Sequence, residues 1–401
     1  MSHQHASAEP GRRPQADAEL ANAAEKVAEE REHAETLRSR LGLSRRRLLA
    51  ATTGIAAATA LPFTGALAGT AHAASPGRGE VLVPPGKRGI ILYTVRDAIL
   101  RDPLSTPVPS GFRRVLEALA GMGYRQVEFA GYRQHANAEG GADLETVEGA
   151  RLLRGWLDDN GLQAEGNHGF IPGSWPLTTA DLDRFKRTLE IANILGLGHM
   201  GTGNDPTNSA YKADWDVAAE KWNTLGAIAA EAGIKLYTHN HDAAYAFLLD
   251  SGPLDAQGRP TRSSGVRRLE YFFDISDPAV VHFEMDIFWA HVAQFRHRAY
   301  TAPDGSAQSD VFDPLATVLA REKRFPLFHA KDGTSNPAVT NGYDMVPFGT
   351  GDIDYHGFFS ALRAKGFHNP MYEQDNAPGP DPARSLEYAE LSYRHMAALR
   401  R

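Results

Sequence analysis

The chain is predicted to fold as an α/β protein, a (β/α)8 TIM barrel, on three observations. Short apolar runs of strand composition alternate with helical stretches from residue 89 to residue 399, most of the strand runs being introduced by a glycine. Eight such units in roughly 320 residues fit a closed parallel barrel carrying two loop insertions. No G-x-G-x-x-G motif opens a helix after the first run, which counts against the competing open, dinucleotide-binding sheet.

The elements follow in order. Residues 89–94 and 126–129 read as the first two strands, with a helix over 111–121 that places Phe112, Val115, Leu116 and Leu119 on one face. A helix over 143–160, stopped by Gly161, leads to a third strand over 162–167. Thr178 or Thr179 caps a helix lasting to Leu195, with Asp181 and Asp183 in its first turn. A weaker fourth strand covers 198–201, and a helix over 213–232 precedes the fifth strand, 234–239. The sixth, seventh and eighth strands are 280–286, 325–329 and 371–373, and a last helix spans 382–399. Residues 250–268 and 301–310 are polar and read as exposed insertions.

A chain of 401 residues that is 42% hydrophobic can bury a sizeable core, and a net charge of −7 gives no reason to expect nucleic acid as a partner. With no cysteine, disulfides and thiolate chemistry are excluded, so any metal is held by His, Asp, Glu or Asn. Residues 1–43 read as a disordered and then helical leader. Ser44-Arg45-Arg46-Arg47-Leu48-Leu49, an Ala-rich apolar run and Ala71-His72-Ala73-Ala74 have the order of a basic region, an apolar region and a cleavage site. Residues 44–74 thus resemble a twin-arginine export signal, cleaved near Ala73, which places the mature 80–401 barrel in the periplasm or outside the cell with no membrane span left.

The chemistry gathers at the predicted strand ends. His239 and His241 are spaced i, i+2, which in a strand puts both imidazoles on one face. Later runs end in Asp286, His329 and Glu373. A lone buried histidine is ordinarily a hydrogen-bonded core residue, and a lone buried carboxylate loses its hydration at high cost. Four such groups at successive strand ends point instead to a divalent-metal site, because a parallel barrel brings those ends together. Glu128, His168 and Lys331 are placed at the same end.

Ile91-Leu92-Tyr93-Thr94-Val95-Arg96-Asp97, His239-Asn240-His241-Asp242, Asp286-Ile287-Phe288-Trp289, His329-Ala330-Lys331-Asp332 and Glu373-Gln374-Asp375 occur in that order. Together they resemble the sugar phosphate isomerase/epimerase group of the xylose isomerase-like TIM barrels, over about residues 89–394. The resemblance implies one divalent ion, Mn²⁺ ahead of Mg²⁺, Zn²⁺ or Co²⁺, with a ligand from each of the last four strands. Matched to this chain, the ligands are His239, Asp286, His329 and Glu373, with His241 able to replace or assist His239. Relatives usually carry Glu where this chain has His239. They often read His-Asn-His-Asp-x-Glu, where this chain has Ala244 at the last position.

Such an ion would stabilise an enediolate formed when a proton leaves the carbon beside a carbonyl. One site then serves an isomerase, an epimerase or a lyase that eliminates the aglycone of a 3-keto-glycoside. His241, Lys331, Glu128 and His168 are the candidate acids and bases, Lys331 on condition that burial lowers its pKa towards neutrality. Competing roles are an ion pair for Lys331, with Asp332 or Glu373, and orientation of a histidine for Glu128. Tyr93 and Trp289 are expected to line the pocket. The substrate is expected to be a neutral or oxidised small sugar or keto-glycoside: no Arg/Lys cluster demands a phosphate, and Gly349-Thr350-Gly351 alone is thin evidence for one. A homo-oligomer is compatible with this reading. The rivals are a sugar-binding barrel without turnover, which Ala244 favours, and a metal-dependent endonuclease, which would want a basic groove.

Overall fold

The computed structural model describes residues 79–363 and 368–401. The expected leader, 1–43, and export signal, 44–74, lie outside the described residues. Eight parallel strands form one sheet: β1 (Gly89–Ile91), β2 (Gln126–Phe129), β3 (Gln163–Asn167), β4 (His199–Thr202), β5 (Lys235–His239), β6 (Val281–Asp286), β7 (Leu327–Ala330) and β8 (Asn369–Tyr372). Their hydrogen-bonded order is β3-β2-β1-β8-β7-β6-β5-β4. The ring is drawn together between β3 and β4, where the Gly169 N–H donates to the Gly201 carbonyl at 2.8 Å beside a parallel bridge from His168 to Gly201. A Cβ on Gly201 would lie 2.0 Å from the Tyr237 carbonyl oxygen, so β4 approaches β5 this closely only with glycine there. The open-sheet alternative is thereby excluded.

The five expected helices are present as Gly111–Met122, Val147–Asp159, Thr179–Leu195, Lys212–Glu231 and Arg384–Ala398. The third starts from a capping box, in which Thr178 Oγ1 accepts the Asp181 N–H and the Asp181 carboxylate accepts the Thr178 N–H. The first strand is shorter than expected: after Ile91 the chain turns into 3₁₀ geometry over Leu92–Val95. Among the described residues, five α-helices were not expected, Arg96–Leu100, Arg268–Ile275, Ile287–Arg296, Pro314–Ala320 and Tyr355–Arg363. They are short and abut strands or insertions, so too few turns separate them from their neighbours for a clear 3.6-residue period.

Both insertions are β-hairpins, Ser251–Leu254 with Pro260–Arg262 and Ala299–Thr301 with Ala307–Ser309. The first is not exposed throughout, because Ser263 and Arg267 are buried. Arg267 donates to the carbonyls of Tyr245, His297 and Asp310, and so pins both hairpins to the barrel rim. A third hairpin, Asp332–Ser335 with Tyr343–Val346, follows β7.

The strand register decides what the barrel interior contains. Glu284 stands opposite His239 and Leu327, while His329 stands opposite Asp286 and Met371. Tyr237, Leu327 and Met371 form a small apolar plug, distinct from the larger core between strands and helices. Above that plug, at the carboxyl ends of the strands, the interior is polar and charged.

Candidate metal centre

His239, Asp286, His329 and Glu373 are all buried, and a ligand atom from each lies within 4.8 Å of the others. Asp286 ends β6 and caps the helix Ile287–Arg296: its Oδ1 accepts the Trp289 N–H at 3.0 Å. That bond fixes the carboxylate and leaves Oδ2 turned to the cluster, 3.7 Å from His239 Nε2 and 4.0 Å from His329 Nδ1. His329 Nδ1 is 2.7 Å from Glu373 Oε2. None of Asp286 Oδ2, His329 Nδ1 and Glu373 Oε2 makes a hydrogen bond of proper geometry.

A second set lies one layer deeper. Glu284 Oε2 is 3.0 Å from His168 Nε2, 3.3 Å from His239 Nδ1 and 3.1 Å from His329 Nε2. Glu128 Oε2 is 3.1 Å from His329 Nε2, and its Oε1 accepts a hydrogen bond from the Tyr237 hydroxyl. His239 and His329 therefore each present one ring nitrogen to the outer carboxylates and the other to an inner one. Such pairing fixes ring orientation and tautomer around metal-binding histidines. Two glycines make the room: a Cβ on Gly166 would lie 3.2 Å from Glu128 Oε1, and one on Gly203 would lie 2.6 Å from His168 Nδ1.

The donor set fits a divalent cation. Four carboxyl groups, Glu128, Glu284, Asp286 and Glu373, are no more than 4% exposed, against one equally buried lysine, Lys331. Burial and neighbouring acids push Glu128 up to about 7 and Asp286 up to about 6. Burial alone would also raise Glu284 and Glu373, but positive neighbours, His329 first for both, hold them well below the carboxylate range. Burial would lower His329, yet Glu284, Glu373 and Glu128 lift it well above the usual histidine value. The interior is short of positive charge, which a divalent ion held by nitrogen and oxygen ligands supplies.

The other expected residues are placed as follows. His241 is half-buried just beyond β5, its ring 5.0 Å from that of His239 and 5.5 Å from that of Trp289. Burial, and then the charge of Lys331, push its pKa down. Trp289 stands between His241 and Lys331, and its buried indole N–H has no hydrogen-bond partner. Tyr93 is 39% exposed, with its ring under the Arg96 guanidinium at 3.9 Å. Lys331 Nζ lies 2.6 Å from Glu373, 2.8 Å from Asp286 and 3.1 Å from Asp375.

One expectation needs correction. Burial does favour neutral Lys331, but Asp286, Glu373 and Asp375 outweigh it and hold the pKa well above the usual lysine value, so Lys331 is not an acid near neutral pH. Of its two expected ion-pair partners it meets Glu373, with Asp286 and Asp375 besides, and not Asp332. The Asp332 carboxylate instead accepts the N–H groups of Gly333, Gly349 and Gly351 at 2.8, 2.8 and 3.1 Å. The Gly349-Thr350-Gly351 turn thus spends both glycine donors on its own chain and offers no phosphate cradle.

Glu284 was not anticipated, yet its signal was present. It stands two residues before Asp286, the same spacing that puts His239 and His241 on one face. Asp205 was also missed: its Oδ1 accepts the His241 N–H at 3.0 Å, and burial pushes its pKa up to about 7. A folded-state pKa above the unfolded 3.8 means the folded chain holds the extra proton, so this group lowers stability as pH rises from about 4 to about 7. Asp205→Asn is expected to flatten that slope and to stabilise the protein above pH 7 by about 1–3 kcal/mol. Urea titrations of both proteins at pH 5 and pH 8 check this; an equal pH dependence would show that Asp205 is not strained by its charge.

Fold and cluster together define a (β/α)8 barrel with a histidine–carboxylate centre at the carboxyl-terminal mouth, where enzymes of this architecture place their active sites. The chain belongs to the xylose isomerase-like TIM barrel family, whose model matches residues 116–391. No curated protein sequence matches it. Among solved structures, it resembles a sugar phosphate isomerase/epimerase from Parabacteroides distasonis with a TM-score of 0.56 and 22% identity, over 78% of this chain and 94% of that one. A second sugar phosphate isomerase/epimerase from the same organism gives a TM-score of 0.54 and 16% identity, over 77% and 96%. The probable 3-DHS dehydratase of petrobactin synthesis from Bacillus anthracis gives 0.51 and 12%, over 77% and 97%. Among the described residues, no helix is long and apolar enough to cross a membrane.

Proposed function

We propose that this protein is a divalent-metal-dependent sugar isomerase or epimerase that removes a proton from the carbon beside a substrate carbonyl. The observation that carries the reading is the outer cluster: His239, Asp286, His329 and Glu373 converge, and three of their buried ligand atoms make no hydrogen bond of proper geometry, only close ion pairs among themselves and with Lys331. These four residues would hold the ion. Bound there, it supplies Lewis acidity for the negative charge that develops on the substrate oxygens.

The remaining groups divide the work by their charge. His241, kept neutral by burial and by Lys331, is the base. Lys331, kept charged by three carboxylates, donates hydrogen bonds to a substrate oxygen. The Trp289 indole N–H is a further donor, beside a flat ring suited to the apolar face of a sugar. Glu128 and His168, turned towards His329 and Glu284, position the histidines rather than meet substrate. The substrate proposed is a sugar without a phosphate; the Gly349-Thr350-Gly351 turn, whose glycine N–H groups donate to Asp332, gives no support for one. Export of the mature chain through the twin-arginine route belongs to the same proposal. A secreted form beginning near Ala74 supports it, and an unprocessed cytoplasmic chain contradicts it.

The test is solvent-deuterium incorporation into a panel of neutral sugars and keto-glycosides. Exchange at the carbon beside the carbonyl, with mass otherwise conserved, is the expected result. Release of an aglycone would assign the lyase reaction instead, and absence of exchange from every sugar would leave a binding barrel. His241→Gln is expected to lower the exchange rate by about 10²–10⁴-fold with metal content unchanged. An unaltered rate would remove His241 from the role of base.

A further inference from the structure

The two hairpin insertions enclose a cleft that the catalytic reading does not use. Its volume is about 240 Å³, and its lining includes Phe247, Thr261, Arg262, Arg296, His297 and Tyr300. Whole-ligand pockets run to roughly 300–1,000 Å³, so this cleft suits one ring with its substituent and not an extended chain.

The cleft is held in shape from both sides. The Ser263 N–H donates to the Thr301 carbonyl at 2.9 Å, tying one hairpin to the other. Arg262 donates to the Pro303 carbonyl at 2.8 Å. Its side chain lies where two glycines leave space: a Cβ on Gly252 would be 2.6 Å from Arg262 Cδ, and one on Gly305 would be 3.1 Å from Arg262 Nη2. The guanidinium is thus placed by turns from both hairpins, with Asp304 engaged by Ser306 at 2.7 and 2.9 Å.

Charge and shape then specify the ligand. Arg296 and His297 share a single carboxylate, that of Asp242, each at 2.8 Å. Arg262 adds a second guanidinium to the wall, its charge offset in part by the nearby Asp304 carboxylate, which Ser306 also engages. Phe247 and Tyr300 pack ring against ring at 4.4 Å and supply an apolar side. We infer that the cleft binds a carboxylate carried on a ring, the carboxylate meeting Arg262 and the ring meeting Tyr300. The shared chemistry covers a uronic acid and an aromatic acid. None of the cleft's lining residues belongs to the strand-end cluster, so acid binding there does not depend on any metal at the strand ends.

Calorimetric titration of the purified protein with glucuronate, benzoate and glucose tests this, with and without EDTA. At least one of the two acids is expected to bind with a stoichiometry of one, glucose not to bind at the same site, and EDTA to leave the acid affinity unchanged. The acid that binds more tightly identifies the kind of ring. Arg262→Gln is expected to weaken binding at least tenfold. Ala299→Phe, at an exposed position that lines the cleft, is expected to block it. Failure of both acids to bind, equal affinity in both variants, or loss of binding in EDTA with Arg262→Gln unaffected would each overturn the inference, the last by moving the carboxylate onto a metal.

Discussion

Replacing His329 by alanine is expected to strip the strand-end centre of its metal and to abolish turnover, by at least about 10³-fold. His329 is the hinge between the two layers of the site: Nδ1 faces Glu373, and Nε2 faces both Glu128 and Glu284. Its loss removes one of four ligands and unpairs buried carboxylates in one step. Removing one partner of a buried ion pair typically costs about 3–5 kcal/mol, so the variant is also expected to melt earlier. Elemental analysis of folded variant protein separates the two effects. Metal retained at the wild-type level would contradict the assignment of His329 as a ligand.

The second large effect is expected at Glu284, which contacts no outer ligand oxygen. Its Oε2 lies within 3.3 Å of nitrogens from three histidines, His168, His239 and His329. Glu284→Gln keeps the shape but removes the charge and turns one acceptor into a donor. Carboxylates that orient metal-binding histidines typically account for about 10–100-fold in metal affinity, and that loss is expected here. Glu284→Leu removes every polar partner, leaving the imidazole nitrogens facing a hydrocarbon, and is expected to destabilise by about 3–5 kcal/mol. Metal titration of the glutamine variant is the decisive measurement of the pair. An unchanged affinity would mean the histidines hold their orientation without this carboxylate.

The parts of this molecule legible in the sequence were those carried by periodicity and by strand ends. The strand positions were recognisable because most of the apolar runs are introduced by a glycine, while β6 and β7, flanked by short helices without a clear period, were legible from the apolar runs themselves. The outer residues His239, Asp286, His329 and Glu373 were legible because a charged group closing an apolar run has few structural explanations. The inner layer was harder to see. Glu284 sits inside the run Val281–Asp286, where a single acid looks like an interruption until register sets it opposite His239. Lys331 was misjudged for a related reason: which force prevails on a buried lysine depends on neighbours from other strands, here Asp286, Glu373 and Asp375. The cleft between the hairpins was out of reach of the sequence, since it depends on how two separate insertions meet.

The most direct measurement is the anomalous scattering of a crystal grown with Mn²⁺. One strong peak is expected at the carboxyl ends of β5 to β8, within about 2.0–2.3 Å of ligand atoms of His239, Asp286, His329 and Glu373. A peak seated among His168, Glu284 and the inner faces of the two histidines, or no peak within reach of those strand ends, would contradict it.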